Sequence, residues 1–151
     1  MASPRDKAAR AALMSSADDI EAQFYEALQQ ADLSKLMALW SQDEDIVCVH
    51  PGSTRAVGPA EIRASFEAIF AAGPVLLQPT SVRRLDNAEL ALHSVLERID
   101  VPTDDGPRTA WVVATNVYRR TTFGWRMIAH HASPAGLDDG AVHEDASATL
   151  H

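Results

Sequence analysis

Cysteine is nearly absent from this chain: Cys48 stands alone among 151 residues. An internal disulfide and a cysteine-rich metal site are thereby excluded, and the usage fits a reducing, cytoplasmic compartment. Basic residues are scarce as well. Against 21 Asp and Glu there are 13 Lys and Arg, a formal net charge of −8. That balance argues against nucleic acid as a partner, because phosphate contacts need clustered cations. It argues equally against an anionic membrane surface. No apolar run approaches the ~20 residues of a membrane-spanning helix.

The N-terminal stretch carries Arg5, Lys7 and Arg10, but Ala11 to Met14 is too short for the apolar core of a signal peptide. Residues 1–15 read as a flexible leader. Residues 136–151 are acidic, rich in small residues and without hydrophobic period, the pattern of a disordered tail. Between them, 16–135 has the length of one domain, and the apolar fraction of 46% is ordinary for a globular core.

The first half of that domain is helical in pattern. Ser16 and Asp19 have the spacing of an N-terminal cap, and Ile20, Phe24, Leu28 and Ala31 recur on one helix face. Asp32 can cap a second, short helix carrying Leu33, Leu36, Met37 and Trp40. Ile46 to Val49 reads as a short strand that runs into His50-Pro51-Gly52. Gly58-Pro59 opens a third helix with apolar Ile62, Phe66, Ile69 and Phe70, and Gly73-Pro74 closes it.

From Leu76 the period becomes two, predicting strands near 76–85, 88–101, 108–121 and 124–133 joined by hairpin turns. The third of these has apolar residues on both sides: Trp111, Val113 and Val117 on one, Ala110, Val112, Ala114 and Tyr118 on the other. Helices cover one face of such a sheet, and a second copy of the chain is the simplest cover for the other. A homodimer through the sheet is expected.

The order ααβαββββ goes together with His50-Pro51-Gly52, the Gly58-Pro59 opening, Ala114-Thr115-Asn116-Val117-Tyr118 and Gly124-Trp125-Arg126…His130-His131-Ala132-Ser133-Pro134. With these the chain resembles SnoaL-like members of the nuclear transport factor 2-like superfamily over residues 18–135. The resemblance implies an α+β cone: three helices against a strongly curved, mainly antiparallel sheet, with a cavity between them and sheet-mediated dimers. The superfamily includes ketosteroid isomerases, scytalone dehydratase, polyketide cyclases, a non-catalytic transport factor and a kinase association domain. The fold therefore leaves the chemistry to particular residues.

His50, at the end of the first strand, can serve as general acid or base, or can fix the Pro51-Gly52 turn. His130 and His131 alternate, so only one can look into a cavity. Alternation groups His130 with Ile128 and His131 with Met127 and Ala129. The resemblance favours His131 for the catalytic set with His50 and Tyr25, and leaves His130 among ligand contacts with Trp40, Phe66, Trp111 and Asn116. Each aromatic has a plain core role as its alternative. Glu97 and Asp100 are accounted for by Arg98 and solvent, and the first strand offers no acid, which speaks against ketosteroid-isomerase chemistry.

Two histidines and His93 lack the short spacing of a zinc site, so neither a metal nor a cofactor is expected. The expected function is binding of a small, partly apolar molecule in the cone. Histidine acid/base chemistry would make the chain a cofactor-independent isomerase, cyclase or dehydratase. The alternative is a non-catalytic association module using the sheet.

Overall fold

A computed structural model describes residues 15–136, together with Ser3. The leader and nearly all of the tail thus lie outside the described residues. Helix α1 (Ala17–Gln30) starts at a full capping box, in which the Ser16 hydroxyl accepts from the Asp19 amide and Asp19 accepts from the Ser16 amide. It stops where Ala31 turns left-handed, at φ 51°. Helix α2 (Leu33–Ala38) is capped by Asp32. Strands β1 (Val47–Val49) and β2 (Ala56–Val57) form a small antiparallel pair. The second of these was not expected, since two residues carry no periodicity. Helix α3 (Gly58–Phe70) follows with proline in its first turn. Gly58 has φ 84°, and an added Cβ would meet the Glu44 carbonyl at 3.3 Å, so the chain needs glycine here.

Strands β3 (Leu77–Asp86), β4 (Leu90–Thr103), β5 (Gly106–Thr121) and β6 (Gly124–Pro134) form the expected meander. One six-stranded sheet results, in the order β2-β1-β6-β5-β4-β3. Its β1–β6 pair is parallel and the other pairs are antiparallel, so the sheet is mixed and mainly antiparallel. The helices lie on its concave side. Phe24, Leu28, Leu36, Trp40, Ile62, Phe66, Val95, Tyr118 and Met127 build the core there. No helix among the described residues is long and apolar enough to cross a membrane.

Two registers decide the chemistry. One row runs across the concave face through His93, Asn116, His130 and Cys48, each paired to the next on the neighbouring strand. The next row on the convex face runs through Leu85, Leu92, Val117, Ala129 and Val47. A polar row is therefore buried under the helices, and an apolar row faces outward.

Candidate functional site

The polar row is completed from α1. Glu21 and Tyr25, one turn apart, point down onto the sheet, and both are buried, as are His93, Glu97, Asn116 and His130. Buried polar groups must find partners, and these find one another. Glu21 Oε2 accepts from Tyr118 Oη (2.6 Å), His93 Nδ1 (2.9 Å) and Asn116 Nδ2 (3.4 Å). The Asn116 amide nitrogen also donates to Tyr25 Oη at 3.0 Å, and Tyr25 donates onward to Glu97 Oε2 at 2.7 Å. At the other end His93 Nε2 faces Asp86.

This network fixes a tautomer. The Asn116 amide nitrogen is committed to Glu21 and Tyr25, so its oxygen must accept from His130 Nδ1, 2.6 Å away. His130 therefore carries its proton on Nδ1 and keeps a lone pair on Nε2, which has no partner among the described residues. Burial, with His50 and His131 adding like charge, pulls its pKa down to about 3. At neutral pH the ring is uncharged.

His50 is set in a similar way. The Ser65 hydroxyl donates to the Ile62 carbonyl at 2.7 Å, so it can only accept from His50 Nε2 at 3.0 Å, and Nδ1 is left bare. Burial lowers the His50 pKa too. The parallel β1–β6 register brings its ring to 6.4 Å from that of His130, while Phe66 packs edge-on against it at 4.8 Å.

His50, Glu97 and His130 line one chamber of about 110 Å³, otherwise walled by apolar groups such as Leu28, Phe66, Ile69, Val75 and Ile99. Glu97 is 2% exposed. Desolvation raises its carboxyl pKa to about 7, the nearby Glu21 adding to the rise, although the Tyr25 hydrogen bond opposes it. Tyr25 is held as a phenol, its pKa pushed well up by burial and by Glu97. The chamber thus presents two neutral imidazoles and a carboxyl group balanced between its two protonation states.

The sequence-derived residues fall into three groups. His50, His130 and Phe66 are brought together in the chamber. Tyr25 and Asn116 stand behind it and orient Glu97 and His130. Trp40, Trp111 and His131 are not part of it. Trp40 is core and walls a different groove, and Trp111 lies on the convex side of β5. His131 is exposed on the convex face, paired with Thr115 and Val49.

The phase of β6 explains the last case. Tyr118 pairs with Met127 and Val117 with Ala129, so Ile128 is an extra residue in a β-bulge. Met127 and His130, three apart, are consequently both buried, and the grouping of His131 with Met127 does not hold beyond the bulge.

Glu97 lines the chamber without being singled out by the sequence pattern. Arg98 does engage Asp100, at 3.3 Å, but neighbours along a strand face opposite ways. Val95-x-Glu97-x-Ile99 is an inward-facing alternation, and it was the available signal.

An α+β cone with ionisable groups gathered in a chamber on its concave side is the class that fold and site define. Within that class, the model of the SnoaL-like domain family matches residues 18–136, and the chain belongs to that family. Among solved structures it is similar to a Thiobacillus denitrificans protein provisionally named as a calcium/calmodulin-dependent protein kinase type II association domain. The two are 34% identical, over 82% of this chain and 98% of that one, with TM-score 0.74. A Streptomyces avermitilis protein of the nuclear transport factor 2-like family, provisionally named a dehydratase, is 31% identical over 79% of this chain and 94% of that one, with TM-score 0.69. A ketosteroid isomerase-like protein from Erwinia carotovora atroseptica shares the fold at 17% identity and TM-score 0.64, over 79% and 93% of the two chains. No protein of curated function matches the chain.

Proposed function

We propose that the chamber binds a small, uncharged, partly apolar molecule and moves a proton on it without a cofactor. The observation that carries this reading is the convergence of His50, Glu97 and His130, from three separate strand regions, on one apolar chamber. A general acid or base works best with a pKa near the working pH, and the Glu97 value of about 7 supports that role. His130, with a bare Nε2 and a pKa of about 3, is suited to accepting a hydrogen bond from a substrate hydroxyl rather than to holding a proton. His50 Nδ1 is the second candidate base.

In an isomerisation, one of these groups takes a proton from the carbon beside a carbonyl while another returns one to the oxygen or to a further carbon. In a dehydration, His50 Nδ1 takes the proton from the neighbouring carbon while the Glu97 carboxyl proton leaves with the departing hydroxyl as water, and a carbon–carbon double bond forms. Tyr25 positions Glu97 in either case. An apolar cavity of about 150 Å³ holds benzene, so 110 Å³ limits the occupant to a ring or branched chain no larger than that.

The test is α-proton exchange of a small cyclic enone in deuterated buffer, followed by proton NMR. The wild type should accelerate exchange, with Glu97→Gln and His50→Ala each slowing it by about 10²-fold or more. Equal exchange by all three proteins would remove the reading.

A second reading is favoured by the convex row Leu85, Leu92, Val117, Ala129 and by the name of the Thiobacillus relative: association of copies of the chain through the sheet. Leu85 is 77% and Leu92 37% exposed, and such a row supports a homodimer. The two readings are compatible, since the chamber and the row lie on opposite faces.

A further inference from the structure

A second cavity shares no lining residue with the chamber. It is a groove of about 640 Å³ between the connection that follows α2 (Ala38 to Asp43) and the β5–β6 hairpin (Arg119 to Arg126). In a chain of net charge −8, this groove holds Arg119, Arg120 and Arg126 against the single acid Asp43 among the described residues. Arg119 pairs with Asp43. Arg120 has no carboxylate partner among the described residues.

Arg126 is partly buried, and among the described residues its guanidinium makes one hydrogen bond, from Nη1 to the Trp125 carbonyl at 2.7 Å, and no ion pair. A guanidinium taken partly out of water without a counter-charge is unfavourable, and burial pulls its pKa down accordingly. Trp40, which also lines the groove, carries an unmet group beneath the surface. Trp40 is 1% exposed, and its indole Nε1 is the one buried side-chain nitrogen or oxygen without a hydrogen-bond partner among the described residues. Phe123, 72% exposed, projects at the lip of the groove.

We infer that this groove is a binding site for a small aromatic carboxylate. Arg126 and Arg120 receive the carboxylate, for which the planar fork of arginine is matched. The ring lies against Phe123, whose exposed face offers stacking. A polyanion such as nucleic acid does not suit the groove, because the surplus is two positive charges on a strongly acidic molecule.

The probe is benzoate, titrated into the full chain labelled with ¹⁵N and followed at the tryptophan indole signals. Saturable movement of the Trp40 indole N–H is expected, with the His50 and His130 ring signals unmoved. Arg126→Gln should weaken binding by tenfold or more. Arg120→Gln, an exposed change that leaves the fold alone, should weaken it severalfold. His50→Ala, which changes no residue of the groove, should not weaken it. Movement of the chamber histidines instead of Trp40 would overturn the inference. So would a Trp40 shift that is linear in benzoate, or one unchanged in both arginine variants. Inorganic phosphate binding as tightly as benzoate would overturn the aromatic part.

Discussion

Replacing Glu97 by glutamine should make the protein relatively more stable as the pH rises. Glutamine keeps the shape of the neutral carboxyl group and can still accept from Tyr25. Below pH 4.5 wild-type Glu97 is protonated in the folded and the unfolded chain alike, and the two proteins differ only by local hydrogen bonding. Between pH 4.5 and 7 the unfolded carboxyl ionises while the folded one holds its proton, its pKa being raised from 4.5 to about 7. The folded wild type then binds more protons than the unfolded chain, so its stability falls with pH and the loss is complete above 7. A rise of this size corresponds to about 3 kcal/mol, at 1.36 kcal/mol per pH unit. Glutamine has no such loss. Urea unfolding of both proteins at pH 4.5 and pH 8 should show the stability difference moving by about 3 kcal/mol in favour of Glu97→Gln. A difference independent of pH would refute the assignment of Glu97 as a buried, proton-holding carboxyl. A difference moving in favour of the wild type would mean that Glu97 ionises readily in the fold.

His130 should give the opposite sign. Its folded pKa is lowered from 6.5 to about 3, so the stability it contributes is present above pH 6.5 and is lost as pH falls through 3. The wild type should therefore lose ground to His130→Gln on acidification, as measured by unfolding at pH 7 and pH 4. Nitrogen NMR of the ring should show the proton on Nδ1, and a proton on Nε2 at neutral pH would contradict the Asn116 geometry. Asn116→Ala removes partners from Tyr25, Glu21 and His130 at once, and should cost at least about 2 kcal/mol in chemical denaturation. Cys48 is fully buried with its thiol pKa raised to about 12, so iodoacetamide at pH 8 should label it only after denaturation. Leu92→Glu should convert a sheet-mediated dimer to monomer in light scattering while leaving the chamber's ligand binding intact. A mass unchanged from the wild type would remove the convex row as the interface.

The elements whose outlines were legible in the sequence are those with local chemistry behind them. Ser16 and Asp19 cap α1, Gly58-Pro59 opens α3, and the hairpin turns set the meander, each by interactions within a few residues. The apolar sides of β5 were legible for the same reason, since strand alternation is local. The β1–β6 parallel pair was not, because nothing in Val47 to Val49 says which distant strand it will join. That pair is what sets Cys48 opposite His130 and brings His50 to the chamber.

His131 and Glu97 stand apart from what the sequence pattern implies, each for its own physical reason. Family likeness favours His131 over His130, and alternation counted back to Met127 cannot see the bulge at Ile128. Arg98, next in sequence, offers Glu97 an exposed partner, although adjacent strand residues point apart. A buried carboxyl is costly unless partnered, and its partner Tyr25 lies 72 residues away on α1. Single-chain pattern reading discounts such a residue because its justification is non-local. The same cost is why it is informative once the partner is seen. A fold that sets Glu21, Tyr25, Asn116 and Tyr118 around the base of one chamber could have filled that space with apolar side chains at less expense in desolvation. The polar row is therefore best explained by what it holds in place: the Glu97 carboxyl and the bare Nε2 of His130.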